Sequence, residues 1–218
     1  QLLRAGADMK LRTAAGKTAL QWAKEKGHTE CVEAFRTYLG EVAAARSKAL
    51  SAEAGGAGAS DAPAGAAVAG ASAAVSASSG EGGAETAPGS EAVPEEVVLA
   101  AERGEEATML AWLDGGGRVD ATFEYTFACG SRVSGMTLLM VAMSHGHAGL
   151  AEALLRRGAD TSLLTSDGIS YALGLAAVNG HKKLVELALR HGAEVNQQNN
   201  TCVTPLMDAA YKGHKRVV

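Results

Sequence analysis

Six histidines, three cysteines and one row of alternating aromatics are the residues of this chain with chemical potential. His28, His147, His181 and His214 each follow a glycine, and His145 and His191 complete the set. A metal centre needs imidazoles, thiolates or carboxylates converging on one point. Acid–base catalysis needs a histidine within reach of the group whose proton it takes. Neither follows from these positions. His145 and His147 are two residues apart, a spacing that does not share a helix face. His191 falls in the last turn of an expected helix, where a partly protonated ring suits the dipole. Cys31, Cys129 and Cys202 are far apart and odd in number, without a C-x-x-C pair, so neither a disulfide framework nor a zinc site is expected. No G-x-S-x-G elbow or phosphate-cradling glycine loop is present. Asn199-Asn200-Thr201 matches the glycosylation pattern and is read as a polar hairpin tip. The expectation is a non-enzymatic chain with no catalytic residue, cofactor or metal.

The histidines make sense as part of a period. Gly146-His147, Gly180-His181 and Gly213-His214 are 34 and then 33 residues apart, and Gly158-Ala159-Asp160 precedes Gly192-Ala193-Glu194 by 34. Self-similarity at this spacing predicts a stack of small units, each too small to bury its apolar face alone. Four units align: Gly16 to Leu39, Val97 to Asp120, Gly135 to Asp160, and Asp167 to Asn196. Half a unit precedes them (Leu2 to Asp8) and half follows (Thr204 to Val218). Each reads as two short helices. Thr18, Thr137 and Thr204 stand where a hydroxyl can cap the first helix, and Pro205 falls at its first turn. The glycine before each histidine ends that helix by taking positive φ. Leu184, Leu187 and Ala188 give the second helix its apolar stripe, and Gly158 and Gly192 stop it.

The Gly-x-Thr-Pro-Leu opening, Ala-Ala pair, Gly-His turn, leucine-rich second helix and Gly-Ala-Asp ending together resemble the ankyrin repeat. The resemblance implies an all-α solenoid of helix-turn-helix units joined by β-hairpin loops, and binding of protein partners. Three departures stand out. The unit at 97–120 lacks the Gly-x-Thr opening and has Glu105 in place of histidine. The fourth unit holds one extra residue, placed between Ser170 and Gly180. Leu39 stands where the first unit's terminating glycine belongs.

That last departure predicts that the helix beginning at Thr29 runs on to Leu50, closing an N-terminal block over residues 1–50. Residues 51–93 are almost entirely Ala, Gly, Ser and Glu without Lys, Arg or aromatics, and cannot bury enough apolar area to order themselves. They are expected to form a disordered linker spanning about 35 Å. A C-terminal block then covers 94–218, and stacking between the blocks is left open. The chain begins without Met and stops inside an expected helix, which reads as a fragment of a longer protein. Aromatics make up only 4% of it and its formal charge is −4. Without a basic stripe, nucleic acid is not an expected partner. Without a run of about 20 apolar residues or a leader, no membrane contact is expected and the location is read as intracellular, cytoplasmic or nuclear.

Two surfaces are candidates for a protein partner. The first is an inserted finger at 121–134, where Phe123, Tyr125 and Phe127 alternate before a Gly-Ser turn and Arg132. This predicts a long β-hairpin, its aromatics either exposed as a hot spot or folded back on a neighbouring unit. The second is the inner face of the first helices, where the resemblance places Trp22, Val141, His145, Asn179, Asp208 and Tyr211 at the outward positions. Their mixed chemistry fits no simple acidic or basic ligand, and nothing indicates a small-molecule substrate. Trp112 is expected in the core. The favoured reading is a protein–protein interaction scaffold. The alternative is the targeting or regulatory arm of a larger enzyme or channel whose effector lies outside these residues.

Overall fold

The computed structural model describes residues 1–54, 93–127 and 130–218. The expected linker lies almost wholly outside the described residues, as do Ala128 and Cys129 at the finger tip. The described residues fall into two units, one of residues 1–40 with 93–218 and one holding residues 41–54.

Along the chain the elements are α1 (Ala19–Glu25), α2 (Thr29–Ala54), α3 (Glu95–Arg103), α4 (Glu106–Asp114), β1 (Thr122–Thr126) and β2 (Arg132–Thr137). They continue as α5 (Leu138–His145), α6 (Ala148–Arg156), α7 (Ala172–Val178), α8 (Lys182–Arg190) and α9 (Pro205–Lys212). Helix α2 runs past Gly40 as expected, and its residues 41–49, which belong to the second unit, are exposed. Three threonines cap as predicted: Met140 N–H donates to Thr137 Oγ1 and Met207 N–H to Thr204 Oγ1. Thr18 and Gln21 form a reciprocal capping box.

Consecutive first helices lie side by side in the order α3, α5, α7, α9, α1. Helix α1 therefore stacks after α9, reversing chain order. Residues 1–8 supply the second half of the unit that 204–218 begin. Leu2 N–H donates to Val217 O (2.9 Å) and Leu3 N–H to Val218 O (3.2 Å), and all four side chains are buried. In this contact each segment covers the apolar stripe of the other.

The Gly-His pairs are the joints of this stack. His147 Nε2–H donates to Glu102 O, His181 to Ser144 O, His214 to Val178 O and His28 to Tyr211 O, at 2.6 to 3.1 Å. A carbonyl only accepts, so Nε2 carries the proton in every case. Each imidazole also covers the glycine of the preceding unit: a Cβ on Gly180 would lie 2.6 Å from the His214 ring, and Gly104, Gly146 and Gly213 are covered alike. Gly27, in the last unit, has nothing within 4 Å. The same logic explains Glu105. Among the described residues its unit is the first in the stack, with no earlier carbonyl for an imidazole to reach.

The extra residue of the fourth unit falls elsewhere than expected. Tyr171 occupies the N-cap position nine residues before Gly180, as Thr137 does before Gly146, so the insertion precedes Tyr171. Trp112 is half-buried rather than core, because α4 belongs to the end unit; it packs beside Gly117, where a Cβ would lie 2.5 Å from the indole.

Candidate protein-interaction surface

The inserted finger is a hairpin, as its alternation predicts. Thr122 pairs with Thr137, Phe123 with Met136 and Tyr125 with Val133, with a register shift between Phe123 and Tyr125. The aromatic row folds inward. Tyr125 is 5% exposed and meets Phe127 edge-on at 5.0 Å, Phe123 at 6.4 Å and His145 at 6.5 Å. Burial pushes the Tyr125 hydroxyl well above the usual phenol range, and the Glu102 carboxylate that accepts its hydrogen bond pushes the same way. Phe123 and Phe127 are half-buried against the core. The outward faces of the finger carry Arg132 and Glu124, paired at 2.9 Å.

Along the first helices the expected positions divide. Val141 is fully buried, since α5 is flanked by α3 and α7 with β2 leading into it, so it packs rather than presenting a contact. His145 and Asn179 are exposed, each holding its own helix end: His145 Nδ1–H donates to Val141 O (3.0 Å) and Asn179 Nδ2 to Leu175 O (2.9 Å). The His145 and His147 rings stack parallel at 6.0 Å, contrary to the sequence expectation, because the left-handed Gly146 between them turns the chain back. Both rings spend a nitrogen on a backbone carbonyl, and among the described residues no metal-binding cluster is formed.

Trp22 and Tyr211, from α1 and α9, are brought together by the reversed stacking order. Their rings meet edge-to-face at 5.0 Å. Lys26 Nζ lies 4.6 Å over Tyr211 and Lys17 Nζ 4.7 Å over Trp22, with Lys17 also paired to Glu25 at 2.5 Å. Tyr211 remains 37% exposed. Beside it, burial pushes the Asp208 carboxyl up to about 7, with Lys212 one turn on pulling it back in part. A carboxyl raised in the folded state binds its proton more tightly there than in the unfolded chain. Its contribution is therefore fully present below the unfolded value near 3.8 and is lost as pH rises through 7. Asp208→Asn is accordingly expected to leave Tm unchanged near pH 4 and to raise it progressively toward pH 7, by thermal melts across that range. A Tm difference that shrinks with rising pH would contradict this burial.

The hairpin loops add contacts that residue spacing did not reveal. Asn199 Oδ1 accepts from Thr201 Oγ1 and from the Val203 amide, while its Nδ2 donates to Ile169 O, so this amide is spent in organising the loop. Ile169 is 52% exposed and Leu164 39%. The sequence signal at Ile169 is an apolar residue beside the Asp167-Gly168 turn, where polar residues are the rule, while Leu164 bridges to Tyr171 at the base of that loop. Leu99, 39% exposed on α3, gave no comparable signal.

A row of helix pairs, stapled through imidazole–carbonyl bonds and fringed by hairpins, defines a helical repeat protein. The family model for ankyrin repeats, in three copies, matches residues 139–218, and over these residues the chain is similar to an ankyrin-repeat array. Such repeats are solenoid modules of protein–protein interaction and are typically non-catalytic. The structure extends the same two-helix geometry to α3–α4 and α1–α2. No curated protein matches the chain. No helix among the described residues is long and apolar enough to cross a membrane.

Proposed function

We propose that this chain is an interaction scaffold that holds a protein partner against its first helices and hairpin tips. The Trp22–Tyr211 pair carries the reading: two rigid amphipathic rings from adjacent units, locked edge-to-face, with Tyr211 open to solvent. Tyr and Trp dominate the energetics of protein interfaces because they bring large contact area at little entropic cost. His145 and Asn179 continue the surface along the neighbouring helices, and Arg132 and Ile169 supply contacts on the hairpin side. Tyr125 and Val141 support this face from beneath.

Affinity capture from cell lysate, with identification of what is retained, tests the reading. Trp22→Ala with Tyr211→Ala is expected to weaken the specifically retained protein about 30-fold, the equivalent of about 2 kcal/mol. Far-UV circular dichroism should be unchanged. Capture that is insensitive to both substitutions removes this face from the function.

A further inference from the structure

Between α3 and β1 runs an open groove of about 500 Å³, walled by Glu95, Val98, Leu99 and Glu102 from the helix and by Phe123 and Glu124 from the strand. Among the described residues helix α3 has a first-helix neighbour on one side only, and Leu99 is exposed beside Val98. Strand β1 pairs with β2 alone among the described residues, so its second edge has no strand partner. An apolar wall beside an open strand edge suits an extended chain. Main-chain hydrogen bonds supply affinity and alternate side chains set the register.

Charge then selects the occupant. Among the described residues that line the groove there is no Lys, Arg or His. Between residues 94 and 126 eight carboxylates stand against Arg103 and Arg118. Arg103 pairs with Glu105 at 3.7 Å, and Arg132 reaches in from β2 to Glu124. Glu95 and Glu102 lie either side of Val98 and Leu99 on the helix wall, so a cation at each would bracket an apolar residue seated between them. We propose that the groove binds an extended segment of a partner protein in which Lys or Arg residues flank a branched apolar side chain. The apolar group rests on Leu99 and Phe123, and the cations answer Glu95 and Glu102. This inference rests on the scaffold reading and supplies the partner's local chemistry.

Fluorescence anisotropy with the full chain tests it, using labelled peptides of about nine residues, enough to span a strand. A Lys/Val alternating peptide is expected to bind saturably and to weaken at least about tenfold between about 50 and 300 mM NaCl. A Glu/Val peptide should not bind, and a Lys/Ser peptide should bind at least about tenfold less tightly. Glu95→Gln with Glu102→Gln, and separately Leu99→Ser, should each weaken the Lys/Val peptide about tenfold or more with Tm retained. Trp22→Ala with Tyr211→Ala should leave it within about twofold. Equal binding of the Glu/Val peptide, or indifference to both the carboxylate and the Leu99 substitutions, overturns the proposal. That failure, alongside partner capture that still depends on Trp22 and Tyr211, would leave the scaffold standing. Capture indifferent to that pair would remove the Trp22–Tyr211 face from the function.

Discussion

Gly180→Val should destabilise the array by about 3 kcal/mol, against about 1–2 kcal/mol for Gly192→Val, although both glycines hold left-handed backbone. The difference lies in the next unit. Around Gly192 a Cβ meets nothing within 4 Å, so the valine there costs backbone strain alone. At Gly180 the added carbon would sit 2.6 Å from Nδ1 of His214, whose Nε2–H donates to Val178 O at 2.8 Å. The ring must swing away, and the joint between two units loses its hydrogen bond along with the strain. Thermal melts check the ranking, and a double-mutant cycle locates the cause. Combining Gly180→Val with His214→Ala should cost less than the two substitutions separately, since one joint cannot be broken twice. Equal losses for Gly180→Val and Gly192→Val, with additive behaviour in the cycle, would mean that the imidazole is not a joint.

Tyr171→Ala should cost about 3–5 kcal/mol, the range for truncating a buried aromatic. Its ring is 1% exposed, and its hydroxyl donates to Gln197 O at 3.2 Å, with Val203 O at 3.5 Å, across to the loop of the following unit. Burial pushes the phenol far above its usual range, with the Asp208 charge adding to the shift, so the hydroxyl stays protonated and donating at any physiological pH. Tyr171→Phe should cost only about 1 kcal/mol, the hydroxyl's share. Gly174 gives a sharper test. A Cβ there would lie 2.8 Å from the Tyr171 ring. Helix propensity favours Ala over Gly by about 1 kcal/mol. Gly174→Ala is nevertheless expected to destabilise the native chain, and to stabilise the Tyr171→Ala variant, where the ring is gone. Stabilisation in both backgrounds, read as denaturant midpoints, would show that the ring does not depend on that glycine.

Much of this architecture is legible along the chain because it is local. Caps at Thr18, Thr137 and Thr204 follow from hydrogen bonds spanning three residues, and the finger's strands follow from a period of two in Phe123, Tyr125 and Phe127. The long run of α2 was readable from the missing glycine at position 39. The site was less legible. Exposure is decided by what lies across from a residue, and Val141 and His145 sit one helical turn apart with opposite outcomes, the first fully buried and the second exposed. Leu99 went unnoticed because an exposed leucine on an end helix reads the same as a buried one in the middle of a stack.

Periodicity by itself determined the helix pairs, their caps and the conclusion that each unit must lean on another, since apolar stripes and turn residues act over a few positions. Which unit leans on which was decided only in three dimensions. Leu2 and Leu3 pair with Val217 and Val218, and Trp22 with Tyr211, across separations that no local pattern encodes. The recurring histidine is the same distinction in one residue: its position is written at regular intervals, but the carbonyl it bonds belongs to another unit and becomes its partner only when the stack forms.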